Sequence, residues 1–215
     1  MLYAIVHVII YRLARLFFRL KVIGHENIPK NGGVIIASNH ISYLDIPIIG
    51  CSMERKGDFF GKSELFRNPI IGRLFRILGG ISVKRGRPDK EAISETLNRL
   101  KRGRLVIIYP EGGRGHNDRL RNPKPGIGMI SAMSHAPVVP AYIKGTDKAL
   151  PIGAKWIRLT PIIVIFGKPL KSFSHINEEK AKERYIKISK EIMDRVGYLK
   201  ETIDKETANS TKKQR

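Results

Sequence analysis

The chain has 215 residues, 42% of them hydrophobic, which is ordinary for a globular protein and long enough for one domain with a substantial core. Lys and Arg number 40 against 19 Asp and Glu, a formal net charge of +21, so we expect an anionic partner: a phospholipid surface, a phosphorylated substrate or a nucleic acid. Cys51 is the only cysteine, which excludes an intramolecular disulfide and fits a reducing compartment.

Residues 1–21 predict an amphipathic helix. The longest run without Lys or Arg ends at Tyr11 and would span about 16 Å of the roughly 30 Å hydrocarbon core, so a transmembrane span is not expected. A secretory signal is also disfavoured, because the apolar residues precede the basic ones and no small-residue cleavage site follows. Apolar residues recur at helical spacing and arginines lie on another face: Leu2, Ile5, Val6, Ile9, Leu13, Leu16, Phe17 and Leu20, against Arg12, Arg15 and Arg19. This pattern predicts a membrane-interface helix, with a terminal helix packed on the domain as the alternative.

The rest of the chain alternates strands with helices. Buried strands are predicted at 34–38, 58–62, 81–85, 104–110, 138–143 and within 160–169. Helices are predicted from Leu44, after Pro69, over 88–103, from Pro125, and over 177–206 with Asn177 as the N-cap. This order predicts an α/β fold: a single domain over 22–205 with a mostly parallel mixed central sheet flanked by helices. Residues 206–215 have nothing to bury and predict a disordered basic tail.

The stretch "ASNHISYLDIPII" places His40 and Asp45 directly after a buried strand. On one helix, five residues at about 100° each would leave the pair about 140° apart, so they meet only if His40 lies in a turn and Asp45 in the first turn of the next helix. An imidazole accepts a proton near neutral pH, and a carboxylate on its other nitrogen fixes the tautomer and stabilises the imidazolium. The alternative is a helix-capping aspartate beside an incidental histidine.

A second candidate site is "YPEGGRGHNDR", which leaves another strand at a proline. Small residues let backbone N–H groups approach a ligand, and Arg114 can grip a phosphate with a forked pair of hydrogen bonds. Lys62, Lys84, Arg85 and Arg87 also fall at strand ends. Because sites in parallel sheets form where strands end, these residues predict a phosphate-facing site, with a polar turn and a solvated rim as the alternatives.

Several rival chemistries lack their motifs. The sequence has no Gly-x-Ser-x-Gly elbow, no Walker loop and no metal-ligand spacing among its six histidines, so no metal is expected. Apart from Ser38 and Ser42, no nucleophile stands beside His40 in sequence, which favours direct transfer to a substrate hydroxyl. No basic stretch is interleaved with aromatic residues, so a nucleic-acid partner is not expected.

Four blocks in order, between about Ile36 and Gly145, resemble the glycerolipid acyltransferase family, specifically the 1-acylglycerol-3-phosphate (lysophosphatidic acid) acyltransferases. The blocks are "NHISYLD", "GKSELFRNPIIG" with "GGISVKR", "YPEGGRG" and "VVPAYIKG". The resemblance implies transfer of a fatty acyl group from an acyl thioester, acyl-CoA or acyl carrier protein, to the free sn-2 hydroxyl of 1-acylglycerol-3-phosphate, giving phosphatidic acid. It implies no cofactor.

Carried onto this sequence, the resemblance makes His40 the general base and Asp45 the residue that orients it. It implies phosphate or substrate contacts from the second and third blocks: Lys62, Arg85, Glu111, Gly112 and Arg114. Pro140, in the fourth block, is expected to be structural or to line an acyl pocket.

The third block departs from the family pattern. It usually reads Glu-Gly-Thr-Arg-Ser, whereas Gly113 and Gly115 replace the Thr and Ser here. The loss of two hydroxyls leaves another acceptor open, a lyso-aminolipid or a different lysophospholipid. A non-catalytic basic protein that binds a membrane or nucleic acid is the alternative class.

The expected partners are an anionic membrane surface and, if it is the donor, acyl carrier protein. The expected location is the cytoplasmic face of the cell membrane, with peripheral or monotopic attachment.

Overall fold

The computed structural model describes residues 2–84, 89–115, 119–171, 173, 175–176 and 178–213. Seven strands form one sheet in the order β1-β7-β6-β2-β5-β3-β4. The strands are β1 Lys21–Ile23, β2 Val34–Ser38, β3 Gly57–Lys62, β4 Gly80–Val83, β5 Leu105–Ile108, β6 Val138–Lys144 and β7 Ile163–Phe166. The helices are α1 Leu2–Phe18, α2 Asp45–Cys51, α3 Ser63–Arg67, α4 Pro69–Leu78, α5 Lys90–Lys101, α6 Pro125–Ser134, α7 Thr146–Ala149 and α8 Ala181–Lys213, with a 3-10 turn at His25–Asn27.

The sheet is mixed and mostly parallel, as predicted. Strand β2 pairs in parallel with β5 and β6, and β3 pairs in parallel with β4 and β5. The β1–β7 pair is also parallel, so the antiparallel β6–β7 pair is the exception. Strands β2 to β6 all run in one direction and therefore end at one edge of the sheet, where the sequence predicted a site.

Helices cover both faces of the sheet, which explains why β2 is buried along its whole length. On one face, Ala14 of α1 and Ile48 of α2 pack with strand residues such as Ile36. On the other face, residues of α5, α6 and α8 pack with Ile35 and its neighbours. Alternate residues of β2 thus enter two apolar cores, one on each face of the sheet.

Local signals fix the helix ends that the sequence predicted. Helix α4 starts at Pro69, and the Asn68 side chain accepts the backbone N–H groups of Ile70 and Ile71, each at 3.0 Å. It ends at Gly79, whose φ of 99° is a conformation that glycine adopts without a steric cost. The Asp89 carboxylate accepts the Ala92 N–H at 3.1 Å and begins α5 in the same way. The predicted cap Asn177 lies outside the described residues.

Helix α1 combines features of both predictions for the N-terminus. One side packs on the domain: Ala14 is buried, and the His7 ring is hydrogen-bonded to the Met53 carbonyl at 2.8 Å. The predicted apolar stripe, however, mostly faces away from the domain and is exposed at Ile5, Ile9, Leu13, Leu16 and Phe17. Among the described helices, none is both long and apolar enough to cross a bilayer.

Helix α8 corrects the prediction for the C-terminus. The segment from residue 206 was expected to be disordered, but the helix continues to Lys213. After Gly197 the chain has no glycine or proline to interrupt helical hydrogen bonding. Asp204, near the predicted boundary, forms an ion pair at 2.6 Å with Lys144 of β6, which attaches this half of the helix to the sheet, and another at 2.6 Å with Lys200 within the helix.

Candidate active site

The candidate site lies at the edge where the parallel strands end. His40 follows β2, Glu111 and Arg114 follow β5, and Thr146 follows β6. Because these three strands are neighbours in the sheet, residues far apart in sequence meet there.

His40 and Asp45 form a buried pair. His40 Nδ1 lies 2.8 Å from Asp45 Oδ2, with His40 in the turn after β2 and Asp45 as the first residue of α2. This is the arrangement that the five-residue spacing required. The same carboxylate oxygen accepts the backbone N–H groups of Ile41 at 2.7 Å and Ser42 at 2.9 Å. Asp45 therefore closes the turn that carries His40 as well as orienting its ring.

Thr146 completes the surroundings of Asp45. Its hydroxyl donates to Asp45 Oδ1 at 2.6 Å, from the first residue of α7. Four donors therefore converge on this carboxylate, a set that an ionised carboxylate can accept. The sequence analysis did not identify Thr146, because the hydroxyl lies 101 positions from Asp45 and belongs to no motif.

Asn39 fixes the chain immediately before His40. Its side-chain amide donates to the Ile143 carbonyl at 3.0 Å and accepts the Ile143 N–H at 2.8 Å. The side chain thus imitates a peptide group and extends the β2–β6 pairing beyond Ser38. The Ser42 hydroxyl donates to the Leu150 carbonyl at 2.9 Å, which holds the other side of the turn.

Glu111 contacts the backbone of His40. Its Oε1 accepts the His40 N–H at 3.1 Å, while the Gly115 N–H donates to the His40 carbonyl at 2.7 Å. Burial raises the pKa of Glu111, against the His40 N–H and the charge of Arg121, which lower it. Oε2 is buried and has no hydrogen-bond partner among the described residues. The sequence predicted substrate binding by Glu111, and its buried carboxylate lies against the backbone of His40.

Tyr109 packs against His40. The two rings are stacked, with centroids 4.1 Å apart and planes at 19°. Burial raises the pKa of Tyr109 well above its usual range, and the charge of Asp45 adds to this effect. The Tyr109 hydroxyl is buried with no partner in the described part of the chain. Sequence reasoning missed this contact, because Tyr109 carries no signal beyond its position after a buried strand.

Arg114 is partly exposed, and its guanidinium carbon lies 3.5 Å from the centroid of the Tyr43 ring. Gly112, predicted to contact substrate, lies in a turn: its φ is 71° and its N–H donates to the Tyr109 carbonyl at 3.0 Å. That N–H is consequently not free to stabilise an oxyanion.

Two of the other predicted cations, Lys62 and Lys84, lie at the ends of strands further along the sheet. Lys62 is exposed at the end of β3, the second strand from β2, which corresponds to roughly 10 Å at the usual strand spacing. Lys84 follows β4 and lies 3.6 Å from Glu91. Arg85 and Arg87 lie outside the described residues. Pro140 lies buried within β6, consistent with a structural position.

The arrangement can remove a proton from a hydroxyl group. With Nδ1 donating to Asp45, the other imidazole nitrogen, Nε2, is the one that can accept a proton. Arg114 offers in-plane N–H groups to an anion at the same edge of the sheet. Within the described ranges, no group of three or more His, Cys, Asp and Glu side chains is placed to hold a metal ion.

Residues 19–144 match the model of the protein family described as Acyltransferase. A chloroplast 1-acyl-sn-glycerol-3-phosphate acyltransferase of Arabidopsis thaliana is 32% identical over 158 residues, which cover 72% of this chain and 44% of that protein. A 1-acyl-sn-glycerol-3-phosphate acyltransferase of Bacillus subtilis is 29% identical over 188 residues, covering 86% and 90%. The chain thus spans less than half of the plant relative and most of the bacterial one.

A solved structure shares the fold. The crystal structure of the 1-acyl-sn-glycerophosphate acyltransferase PlsC from Thermotoga maritima superposes with a TM-score of 0.70 at 28% sequence identity. The match covers 90% of this chain and 79% of that protein's chain. The α/β architecture described above is therefore shared with this enzyme.

Proposed function

Since the chain belongs to the acyltransferase family, we propose that it acylates the free sn-2 hydroxyl of 1-acylglycerol-3-phosphate to give phosphatidic acid in phospholipid biosynthesis. The acyl donor in this proposal is a thioester, acyl-CoA or acyl carrier protein. The observation that carries the proposal is the buried His40–Asp45 pair at the strand-end edge. The printed names of the plant and bacterial relatives support the choice of acceptor.

In the proposed reaction, His40 Nε2 removes the hydroxyl proton as the oxygen attacks the thioester carbonyl. Asp45 stabilises the imidazolium that forms, the tetrahedral intermediate then expels the thiolate, and the thiolate takes up the proton from the imidazolium to give the free thiol and neutral His40. Because a thiol has a pKa of about 8.5, the thiolate departs without a covalent enzyme intermediate. The scheme uses no cofactor.

Arg114 is the proposed anchor for the acceptor phosphate, with Lys62 and Arg85 as further cations. Gly113 and Gly115 stand where the family usually has Thr and Ser, so a second acceptor, another lysophospholipid or a lyso-aminolipid, must be compared directly with lysophosphatidic acid.

Thiol release from acyl-CoA, measured with a panel of lysolipid acceptors, tests this function. We expect lysophosphatidic acid to be the best acceptor and His40→Ala to lower kcat by about 10²- to 10⁴-fold, the usual contribution of a general base. Binding of His40→Ala to anionic vesicles serves as the control and should match the wild type. Full turnover by His40→Ala would remove the base from the scheme, whereas a better acceptor would change only the substrate. Repeating the assay with acylated carrier protein identifies the donor.

We also propose that the protein attaches to the cytoplasmic face of the cell membrane, where its lipid substrates are found. The support is the exposed apolar stripe of α1, the net charge of +21, and further exposed apolar residues beside both ends of α1. At its N-terminal end, Lys56 Nζ donates to the Ile77 carbonyl of α4 at 2.5 Å and lies 5.2 Å from the Tyr3 ring. Helix α4 exposes Ile70.

At the other end of α1, the Phe18 carbonyl accepts the Ile162 N–H at 2.9 Å. The loop before Ile162 exposes Trp156, of which 82% is accessible. In this proposal, α1, α4 and this loop form one docking surface. Its basic residues lie among anionic head groups and its apolar residues enter the bilayer boundary.

A further inference from the structure

Arg114 is held by an aromatic ring from the loop that carries the catalytic pair. We propose that Tyr43 is a positioning residue, which stacks under Arg114 and fixes its guanidinium for the phosphate monoester of the acceptor. This inference rests on the proposed function, and it concerns a residue that the sequence analysis did not identify.

The geometry leaves Arg114 ready to bind an anion. Its guanidinium carbon lies 3.5 Å from the Tyr43 ring centroid, close enough for a stacked cation–π contact. Stacking uses the face of the guanidinium, whereas hydrogen bonding to phosphate uses its edge. Arg114 forms no ion pair with a described acidic residue, so its in-plane N–H groups are not occupied by a carboxylate.

The position of Tyr43 connects the anion site to the catalytic pair. Tyr43 lies between His40 and Asp45 in sequence, on the turn that Asp45 closes. More than half of the residue, 56%, is exposed, so burial in the apolar core does not explain an aromatic residue here. The backbone of Arg114 is held separately, because Arg121 Nη1 donates to its carbonyl at 3.1 Å. The ring therefore sets where the guanidinium lies relative to His40.

An ordered guanidinium lowers the entropic cost of binding the phosphate. A free arginine side chain loses several rotamers when it engages a ligand, and a side chain that is already stacked loses fewer. We therefore expect Tyr43 to act on acceptor binding and to leave the chemical step unchanged.

Steady-state kinetics of Tyr43→Ala and Tyr43→Phe test this inference. We expect Tyr43→Ala to raise the KM for lysophosphatidic acid about twofold to thirtyfold, the range of a cation–π contact, with kcat and the KM for acyl-CoA unchanged. Tyr43→Phe keeps the ring and should match the wild type. Because the residue is exposed, both variants should keep the wild-type melting temperature.

A double-mutant cycle shows whether Tyr43 acts through Arg114. In an Arg114→Ala background, Tyr43→Ala should cause no further loss of kcat/KM. The inference is overturned if the losses of kcat/KM in the two single variants add in the double variant, or if Tyr43→Phe is as impaired as Tyr43→Ala. It is also overturned if Tyr43→Ala lowers kcat and leaves the KM unchanged. A wild-type enzyme inactive on lysophosphatidic acid would overturn the proposed acceptor and this inference with it, whereas an active wild type with an unchanged Tyr43→Ala variant overturns the role of Tyr43 alone.

Discussion

The Tyr109 hydroxyl is buried, the Tyr109 ring stacks on His40, and no described residue hydrogen-bonds to this hydroxyl. Tyr109→Phe keeps the ring stacked on His40 and removes the unpaired group. A buried hydroxyl without a partner costs about 1–3 kcal/mol, so we expect the free energy of unfolding to rise by roughly 1 kcal/mol with turnover unchanged. Urea denaturation and thiol release measure the two quantities.

Tyr109→Leu is the control for the ring itself, since it removes the stack and should lower turnover. A large loss of turnover in Tyr109→Phe would contradict the prediction, because the hydroxyl would then be engaged when substrate is bound.

Gly115→Ser should stabilise the protein in a pH-dependent way. A Cβ at this position would lie 3.2 Å from the unpartnered Glu111 Oε2, and the Gly115 backbone needs no positive φ. Burial raises the pKa of Glu111, so the ionised carboxylate destabilises the fold once the pH exceeds the ordinary glutamate value of about 4.3, and most fully above the raised pKa. A serine hydroxyl would donate to that carboxylate and offset about 1 kcal/mol of this cost.

Urea denaturation at pH 8 and at pH 4 checks this prediction. The stabilisation by Gly115→Ser should be present at pH 8 and should shrink as Glu111 becomes protonated. Gly115→Ala adds the same carbon without a donor and should show no such dependence on pH. Equal stability curves for the two variants would refute a hydrogen bond to Glu111.

At the scale of residues, the sequence could predict only contacts that one motif contains. His40 and Asp45 share a block, and their spacing determines how they meet. Thr146, Asn39 and Tyr43 could not be assigned in the same way. Thr146 and Ile143, the partner of Asn39, lie 101 and 104 positions away from the residues they contact, and these contacts depend on β2 and β6 being neighbours, which chain order does not determine. The Tyr43 contact depends on where the loop after β5 folds.

Helices α6 and α8 approach so closely that glycine is required at their contact. A Cβ at Gly128 would lie 2.0 Å from the Tyr185 carbonyl oxygen of α8, and the Gly128 N–H donates to Ser189 Oγ at 3.0 Å. Gly128→Ala should destabilise the protein by about 1–3 kcal/mol, because the helices must separate to admit the methyl group. Thermal or urea denaturation measures the loss.

Gly126→Ala is the matched control within the same helix. Nothing lies within 4 Å of a Cβ at this position, so alanine should stabilise α6 by about 0.5–1 kcal/mol through its better helix propensity. We therefore expect alanine to lower the stability at Gly128 and to raise it at Gly126, two residues earlier. A similar change in stability for both variants would contradict the close α6–α8 contact as the cause of the loss at Gly128.

Among the elements, strongly patterned segments could be predicted and short ones could not. Strands β2 and β5 are buried apolar runs, and α5 has an acidic cap with apolar residues on one face. Strand β1 has three residues and α7 has four, too few to establish a period. Strand β1 exists because Lys21–Ile23 pairs with β7, which is a property of the assembled sheet.

At the scale of the whole molecule, the two sides of the sheet differ in a way that predicts orientation on a membrane. Leu16 on α1 is 73% exposed on one side, and Ile186 on α8 is 47% exposed on the other. Leu16→Glu should reduce binding to anionic vesicles by tenfold or more, since burying a leucine is worth about 1.5–3 kcal/mol. Ile186→Glu makes the same change of charge and should bind like the wild type.

Cosedimentation with vesicles at increasing salt measures the electrostatic part of this binding. With a net charge of +21, affinity for anionic vesicles should fall as salt rises, while binding to zwitterionic vesicles should be weak throughout. Equal losses for Leu16→Glu and Ile186→Glu would indicate that charge alone drives binding, without a preferred face.

The hydrogen bonds around Asp45 have a consequence for the timing of catalysis. Both carboxylate oxygens already accept bonds, three at Oδ2 and one at Oδ1. In the proposed reaction, the Asp45 carboxylate therefore does not take a proton from the His40 imidazolium. The only proton transferred when the acceptor oxygen attacks is the one that moves from the acceptor hydroxyl to His40. Rates measured across mixtures of H₂O and D₂O should then vary linearly with the deuterium fraction.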